Sequence, residues 1–130
     1  MNTEQTFSFS NAALFDYLDR ASDAELDKLD FGVIAMDDST QVRRYNRFES
    51  AAAGLSPDRV IGHALFTVVA PCMNNFMVAQ RFEDAQQDGS VLDDTIDYVL
   101  TLRMRPVKVK LRLLARPGSG LRYVLVHRQA

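Results

Sequence analysis

Three side chains have types and spacing that could do chemistry. Tyr45 and Glu49 lie four positions apart in "YNRFES", and Cys72, the only cysteine of the chain, closes "VAPC". Glu49 is flanked by Phe48 and by Ala51 to Ala53, so it is open to dehydration, which raises a carboxyl pKa and keeps the group protonated as a donor. A protonated Glu beside a tyrosine hydroxyl makes two donors aimed at one acceptor, the provision an oxyanion needs in a dry pocket. By residue type alone, the same pair also reads as a strand-edge Tyr and a turn Glu on the surface. Cys72 has two readings as well. A free Cys often serves as a small buried hydrophobe. Alternatively, Cys72 follows Pro71 and precedes the predicted Asn-rich start of a helix, where N–H groups and the helix dipole favour a thiolate or an anionic adduct.

Other chemistries lack their signatures. The chain has no glycine-rich phosphate loop, no CxxC and no HExxH, and His63 and His127 are too isolated in sequence to suggest a metal pair. An enzyme using Cys72 as nucleophile would require a base close by in the fold, for which His63 is the candidate.

The elements that must position these groups follow from periodicity. Residues 11 to 29 carry Leu14, Phe15, Leu18, Leu26 and Leu29 near helical spacing. They predict one or two short amphipathic helices laid on the main body, with Ser10 or Asn11 as N-cap. "FGVIAMDD" reads as a buried strand, "DDST" as a turn and "QVRRYN" as the returning strand. "FESAAAGLSPDRVIG" is punctuated by Gly54 and Pro57 and predicts short helical turns of the kind that wall a pocket. In "NNFMVAQRFEDAQQDG", Phe76, Ala79 and Phe82 fall on one side, the Asn pair suits a cap and Gly89 a stop, predicting a helix through the whole stretch. Three strands follow in "TIDYVLTLRMR", "VKVKLRLLAR" and "LRYVLVHR", the last two joined by "PGSG". In the middle strand Val107, Val109, Leu111 and Leu113 alternate with Lys108, Lys110 and Arg112, the pattern of a strand with one wet face. Two strands, a helical middle and three strands predict an α+β domain on an antiparallel sheet.

The 130 residues, 47% hydrophobic and 25% charged, suit one globular domain with its own core. A net charge of −2, with Lys and Arg spread along the chain, predicts no nucleic-acid partner. No apolar run approaches the roughly 20 residues of a membrane span. "MNTEQTFSFS" lacks a signal pattern and the single Cys suits a reducing compartment, so the expected location is cytoplasmic, away from membranes.

In order along nearly the whole chain, "LDKLDFGVIAMD", "YNRFE", "RVIGHALFTVVAPC", "FEDAQQDG", "MRPVKVKLRL" and "YVLVHR" resemble the photoactive yellow protein family, blue-light receptors with a PAS fold. The specific part is Tyr45, Asn46, Glu49 and Val69 to Cys72 together. The resemblance implies a five-stranded antiparallel sheet flanked by helices, with residues 1–29 as an N-terminal helical cap and 30–130 as the PAS core. It also implies a 4-hydroxycinnamoyl (p-coumaric acid) chromophore joined to Cys72 by a thioester. Tyr45 and protonated Glu49 would donate to its phenolate, while Ala53, Leu55, Phe66, Val69, Ala70, Leu100, Leu102 and Met104 would line the pocket. Blue light would isomerise the group from trans to cis, Glu49 would pass its proton to it, and an uncompensated carboxylate in the core would loosen the cap. The output would reach a downstream signalling protein that the sequence does not name, and a weak homodimer is compatible with the layout. Ala53 stands where the family commonly has a Thr bonded to the tyrosine, Leu55 where it has a shielding Arg, and Leu100 and Leu102 where aromatics are usual, whereas Met104 is retained. These departures predict altered colour or recovery kinetics. The rival reading is a PAS-type small-ligand or redox sensor, or dimerisation module, without the pigment.

Overall fold

The computed structural model describes residues 8–101 and 106–128. Five antiparallel strands, β1 (Gly32–Met36), β2 (Val42–Tyr45), β3 (Leu92–Leu100), β4 (Val107–Ala115) and β5 (Arg122–Arg128), form one sheet in the order β2-β1-β5-β4-β3. The first and last strands therefore meet in the middle of the sheet, with β1 beside β5. Around it lie α1 (Leu14–Arg20), α2 (Asp23–Leu26), α3 (Arg47–Ala53), α4 (Pro57–Val60) and α5 (Ala79–Asp88), with a π-helical turn at Leu65–Val69 and a 3-10 turn at Pro71–Met73.

Strand alternation divides the apolar residues between two faces. Ile34, Met36, Tyr45, Leu111, Leu113, Val124 and Val126 face a core closed by Val60, Leu65, Phe66, Ala70, Met73, Val78 and Phe82. Val33, Ala35, Leu114, Tyr123 and Leu125 face the other way, onto Leu14, Phe15, Leu18, Leu26 and Leu29 of the N-terminal helices. The cap residues thus bury the part of this sheet face formed by β1, β5 and the end of β4. This corrects the expectation for β4 at Arg112, whereas Lys108 is exposed as expected. Arg112 is only 5% exposed, holding Asp93 through two bonds of 2.9 Å and donating to the carbonyls of Phe9 and Asn11 at 3.0 and 2.8 Å. A guanidinium is tolerated there because four acceptor contacts replace its water.

Local signals set the helix ends. Ser22 and Glu25 form a reciprocal capping box at the start of α2, with bonds of 2.8 and 3.2 Å. Asn11 accepts from the Ala13 N–H at 2.7 Å, in the turn before α1 rather than as its cap. Gly54 and Gly89 end α3 and α5 in the left-handed conformation, at φ 74° and 64°. The predicted long helix after Cys72 is shorter than its periodicity suggested. Its first residues are occupied by a turn in which Asn75 Oδ1 accepts from the N–H groups of Met77 and Val78, so α5 begins at Ala79 and Phe76 is 79% exposed. Helical spacing counted across a side-chain-capped turn places a residue on the wrong side.

Candidate functional site

Tyr45 ends β2, in register with Ile34 of β1, and points into the core that also holds Phe66, Ala70 and Leu100. Asn46 follows, and it governs what comes next. Its Oδ1 accepts from the N–H groups of Glu49 and Val33 at 3.1 and 2.9 Å, while its Nδ2 donates to the carbonyls of Leu26 and Phe31 at 2.9 and 3.0 Å. One buried amide therefore caps α3 and fixes that helix to β1 and to the end of α2, using its full donor and acceptor capacity.

Glu49, in the first turn of α3, is turned inward and 2% exposed. Its carboxyl lies over Gly32 so closely that a Cβ there would stand 2.1 Å from Oε1. Only glycine leaves this space. Both carboxyl oxygens accept from Arg128, Oε1 from Nη1 at 2.6 Å and Oε2 from Nη2 at 3.0 Å. Arg128 reaches inward because it shares the parity of Val124 and Val126 on β5. Burial pushes the Glu49 carboxyl above its ordinary range and Arg128 pulls it back. Burial works to lower the Arg128 pKa, yet pairing with Glu49 holds the guanidinium charged, with its pKa raised. Burial, and then the Glu49 charge, also keep the Tyr45 phenol protonated far above its usual range. Tyr45 is 7% exposed.

Cys72 sits in the Pro71–Met73 turn, partly buried against the same core as Tyr45, together with Leu55 and Val69. The dipole argument for it does not apply, since α5 starts well beyond the turn that contains it. What fixes the segment is its own carbonyl, which accepts from the Tyr98 hydroxyl at 2.5 Å and from Asn75 Nδ2 at 3.2 Å. Asn75 also donates to the Tyr98 oxygen at 2.6 Å, closing a three-membered clamp on β3. A hollow of about 640 Å³ opens beside this clamp, lined by Asn75, Met77, Tyr98 and Val109 among others. Tyr98 and Arg128 pair with the two sides of Val109, so the Cys72 clamp and the Glu49 counter-ion occupy one transverse row of the sheet.

Of the residues singled out from the sequence, Tyr45, Phe66, Ala70 and Leu100 share one apolar cluster, with Leu55, Val69 and Cys72 packed on it. Glu49 is buried beside Tyr45, and Ala53 is buried on α3. Leu102 and Met104 lie outside the described residues. His63 is exposed in the loop after α4, its N–H donating to the Val60 carbonyl. Arg128, Tyr98, Asn75 and Gly32 were missed. Strand parity could have found Arg128, because residues two and four before it are core valines. In the structure the Glu49 carboxyl meets the Arg128 guanidinium.

No family model matches the chain. The photoactive yellow protein of Halochromatium salexigens is 34% identical over 105 residues, covering 81% of this chain and 83% of that protein. The chain belongs to the photoactive yellow protein family. Among solved structures, the photoactive yellow protein domain of the sensor histidine kinase Ppr from Rhodospirillum centenum is 37% identical, with a TM-score of 0.80 over 87% of this chain and 98% of that one. The PAS domain of the RpfR quorum-sensing receptor from Cronobacter turicensis, 15% identical, has a TM-score of 0.61 over 79% of this chain and 97% of its own length, and shows the fold alone. Photoactive yellow protein family membership and the five-stranded antiparallel sheet agree with the α+β PAS reading of the sequence. Among the described residues no helix is long and apolar enough to cross a membrane.

Proposed function

We propose that this photoactive yellow protein family member is a non-enzymatic blue-light photoreceptor carrying a 4-hydroxycinnamoyl group on Cys72. The observation that carries the reading is that Tyr45, with a buried Glu49 beside it, lies in the apolar cluster against which Cys72 packs. A phenol and a protonated carboxyl side by side are two donors, and a phenolate oxygen is an acceptor that both could serve. The donor set therefore fits the group. When bound, the 4-hydroxycinnamoyl thioester supplies blue absorption and trans-to-cis isomerisation.

The chain's residues supply the rest. Cys72 Sγ takes the acyl group from an activated precursor, whose own thiol leaves. Tyr45 Oη and a protonated Glu49 Oε donate to the phenolate oxygen, and Glu49 is the group that gives up its proton after light. Leu55, Phe66, Val69, Ala70 and Leu100 keep water out, which strengthens every polar contact inside. Leu102 and Met104 complete the lining in this reading. Asn75 and Tyr98 hold the Cys72 backbone still, so that the first motion falls on the bound group and on Glu49. Loss of the cap from the sheet then signals to a protein partner, with neither nucleic acid nor membrane involved.

The test is an absorption spectrum of the purified chain after incubation with an activated p-coumaric acid thioester, alongside Cys72→Ala. A band in the blue that requires the thiol and bleaches reversibly in light is the expected result. No band in either protein would overturn the photoreceptor reading and leave a PAS sensor for another ligand.

A further inference from the structure

We propose that Arg128 is the standing counter-ion of Glu49, taking both carboxylate oxygens whenever Glu49 is ionised, so that the carboxyl has two settled arrangements instead of one settled and one orphaned. This rests on the photoreceptor reading for its use in signalling, though not for its existence. The geometry is that of a formed pair. Two parallel bonds of 2.6 and 3.0 Å join the groups, with the Glu49 side chain 3% exposed and that of Arg128 18%. Parallel two-point contact is what allows a guanidinium to offset the loss of water on both partners.

Among the described residues no other cation pairs with Glu49. The elements packed against it present Tyr45 from β2, Gly32 from β1 and Arg128 from β5, and of these only Arg128 carries a positive charge. Gly32 lets the carboxyl lie flat on the sheet, within reach of the end of β5. Burial alone would drive Glu49 to take up a proton, so its ionisation hangs on the guanidinium. Beside Tyr45, by contrast, an acceptor favours the protonated form. The two arrangements compete for one carboxyl, and the proton decides between them: its loss hands Glu49 to Arg128, its return releases Glu49 toward Tyr45.

Because Arg128 is the last residue of β5 and pairs with Val109 in the row that also contains Tyr98, capture of Glu49 acts on the C-terminal end of the sheet. The signal then leaves through β5 as well as through the cap.

The decisive measurement is the ionisation of Glu49 in the ligand-free chain, read by infrared difference spectra against Glu49→Gln at neutral pH, for the parent, Arg128→Gln and Arg128→Lys. A carboxylate band in the parent and in Arg128→Lys, replaced by a protonated carbonyl band in Arg128→Gln, is expected. Should Arg128→Gln not fold, the parent spectrum together with Arg128→Lys still decides. A protonated Glu49 in the parent, or a carboxylate that survives in Arg128→Gln, overturns the proposal. In pigment-loaded protein, dark recovery of Arg128→Gln should be on the order of tenfold faster, because the ionised form has lost its partner. Unchanged recovery counts against Arg128 in a chain that still bleaches. A chain that takes no pigment yet holds Glu49 ionised through Arg128 overturns the photoreceptor reading and upholds the pair.

Discussion

Glu49 illustrates how a single side chain acquires two roles from its surroundings. It is dehydrated by α3 and β1, which favours the proton, and faced by a guanidinium, which favours its loss. Groups balanced in this way change state on a small perturbation, and that is what a light-driven trigger requires. In the proposed pigment site the protonated form is the donor. Glu49→Gln should therefore move the visible band to longer wavelength, since an amide donates less strongly and the negative charge spreads along the conjugated chain. An unmoved band would show that Glu49 does not touch the pigment. Ala53 and Leu55 bear on the same balance. Neither offers a polar contact, so Tyr45 is fixed by packing in the apolar cluster and by its place at the end of β2.

Asn46 does for α3 what no periodicity could. Its side chain satisfies two backbone donors and two backbone acceptors, at 2.9 to 3.1 Å, on three different segments. Asn46→Ala removes a helix cap and strands buried N–H and C=O groups at once. The expected destabilisation is about 3 kcal/mol, toward the upper end for a single substitution. Chemical denaturation of the ligand-free chain measures it, and a loss under roughly 1 kcal/mol would mean that water replaces the amide. The turn before β2 offers a second, pH-dependent check. Burial acts to raise the Asp37 pKa, but bonds from the Gln41 and Ser39 N–H groups and from Arg43 outweigh it and hold the carboxyl below its ordinary 3.8. A carboxyl depressed in the folded state contributes stability above its unfolded pKa, which is lost as pH falls through the folded value. Acid titration should thus weaken the parent below about pH 3.8, and Asp37→Asn should flatten that limb. An unchanged slope would remove Asp37 from the acid response.

The molecule has two cores because its central strands are buried on both faces, and each core keeps one tyrosine protonated. Tyr45 is raised by burial and then by Glu49, and Tyr123 by burial and then by its bond of 2.6 Å to Asp19. A group raised in the folded state gives stability that is complete below its unfolded pKa and lost as pH climbs toward the folded value. The window opens near pH 10.0. Alkaline unfolding should steepen there, and Tyr45→Phe and Tyr123→Phe should each flatten it, which denaturation curves across that range would measure. Equal slopes in parent and variants would mean that neither phenol stays protonated. Much of this architecture is written in local pattern: strand alternation, the Ser22 and Glu25 box, and the stops at Gly54 and Gly89. Those features depend on neighbours within a few residues, so a linear reading reaches them. The cover over Arg112, the clamp of Tyr98 and Asn75 on the Cys72 carbonyl, and above all the pairing of Glu49 with Arg128 join residues far apart in the chain. Their partners are chosen by sheet order and strand parity, because a charged group is tolerated in an apolar core only where the folded chain brings its complement within bonding distance.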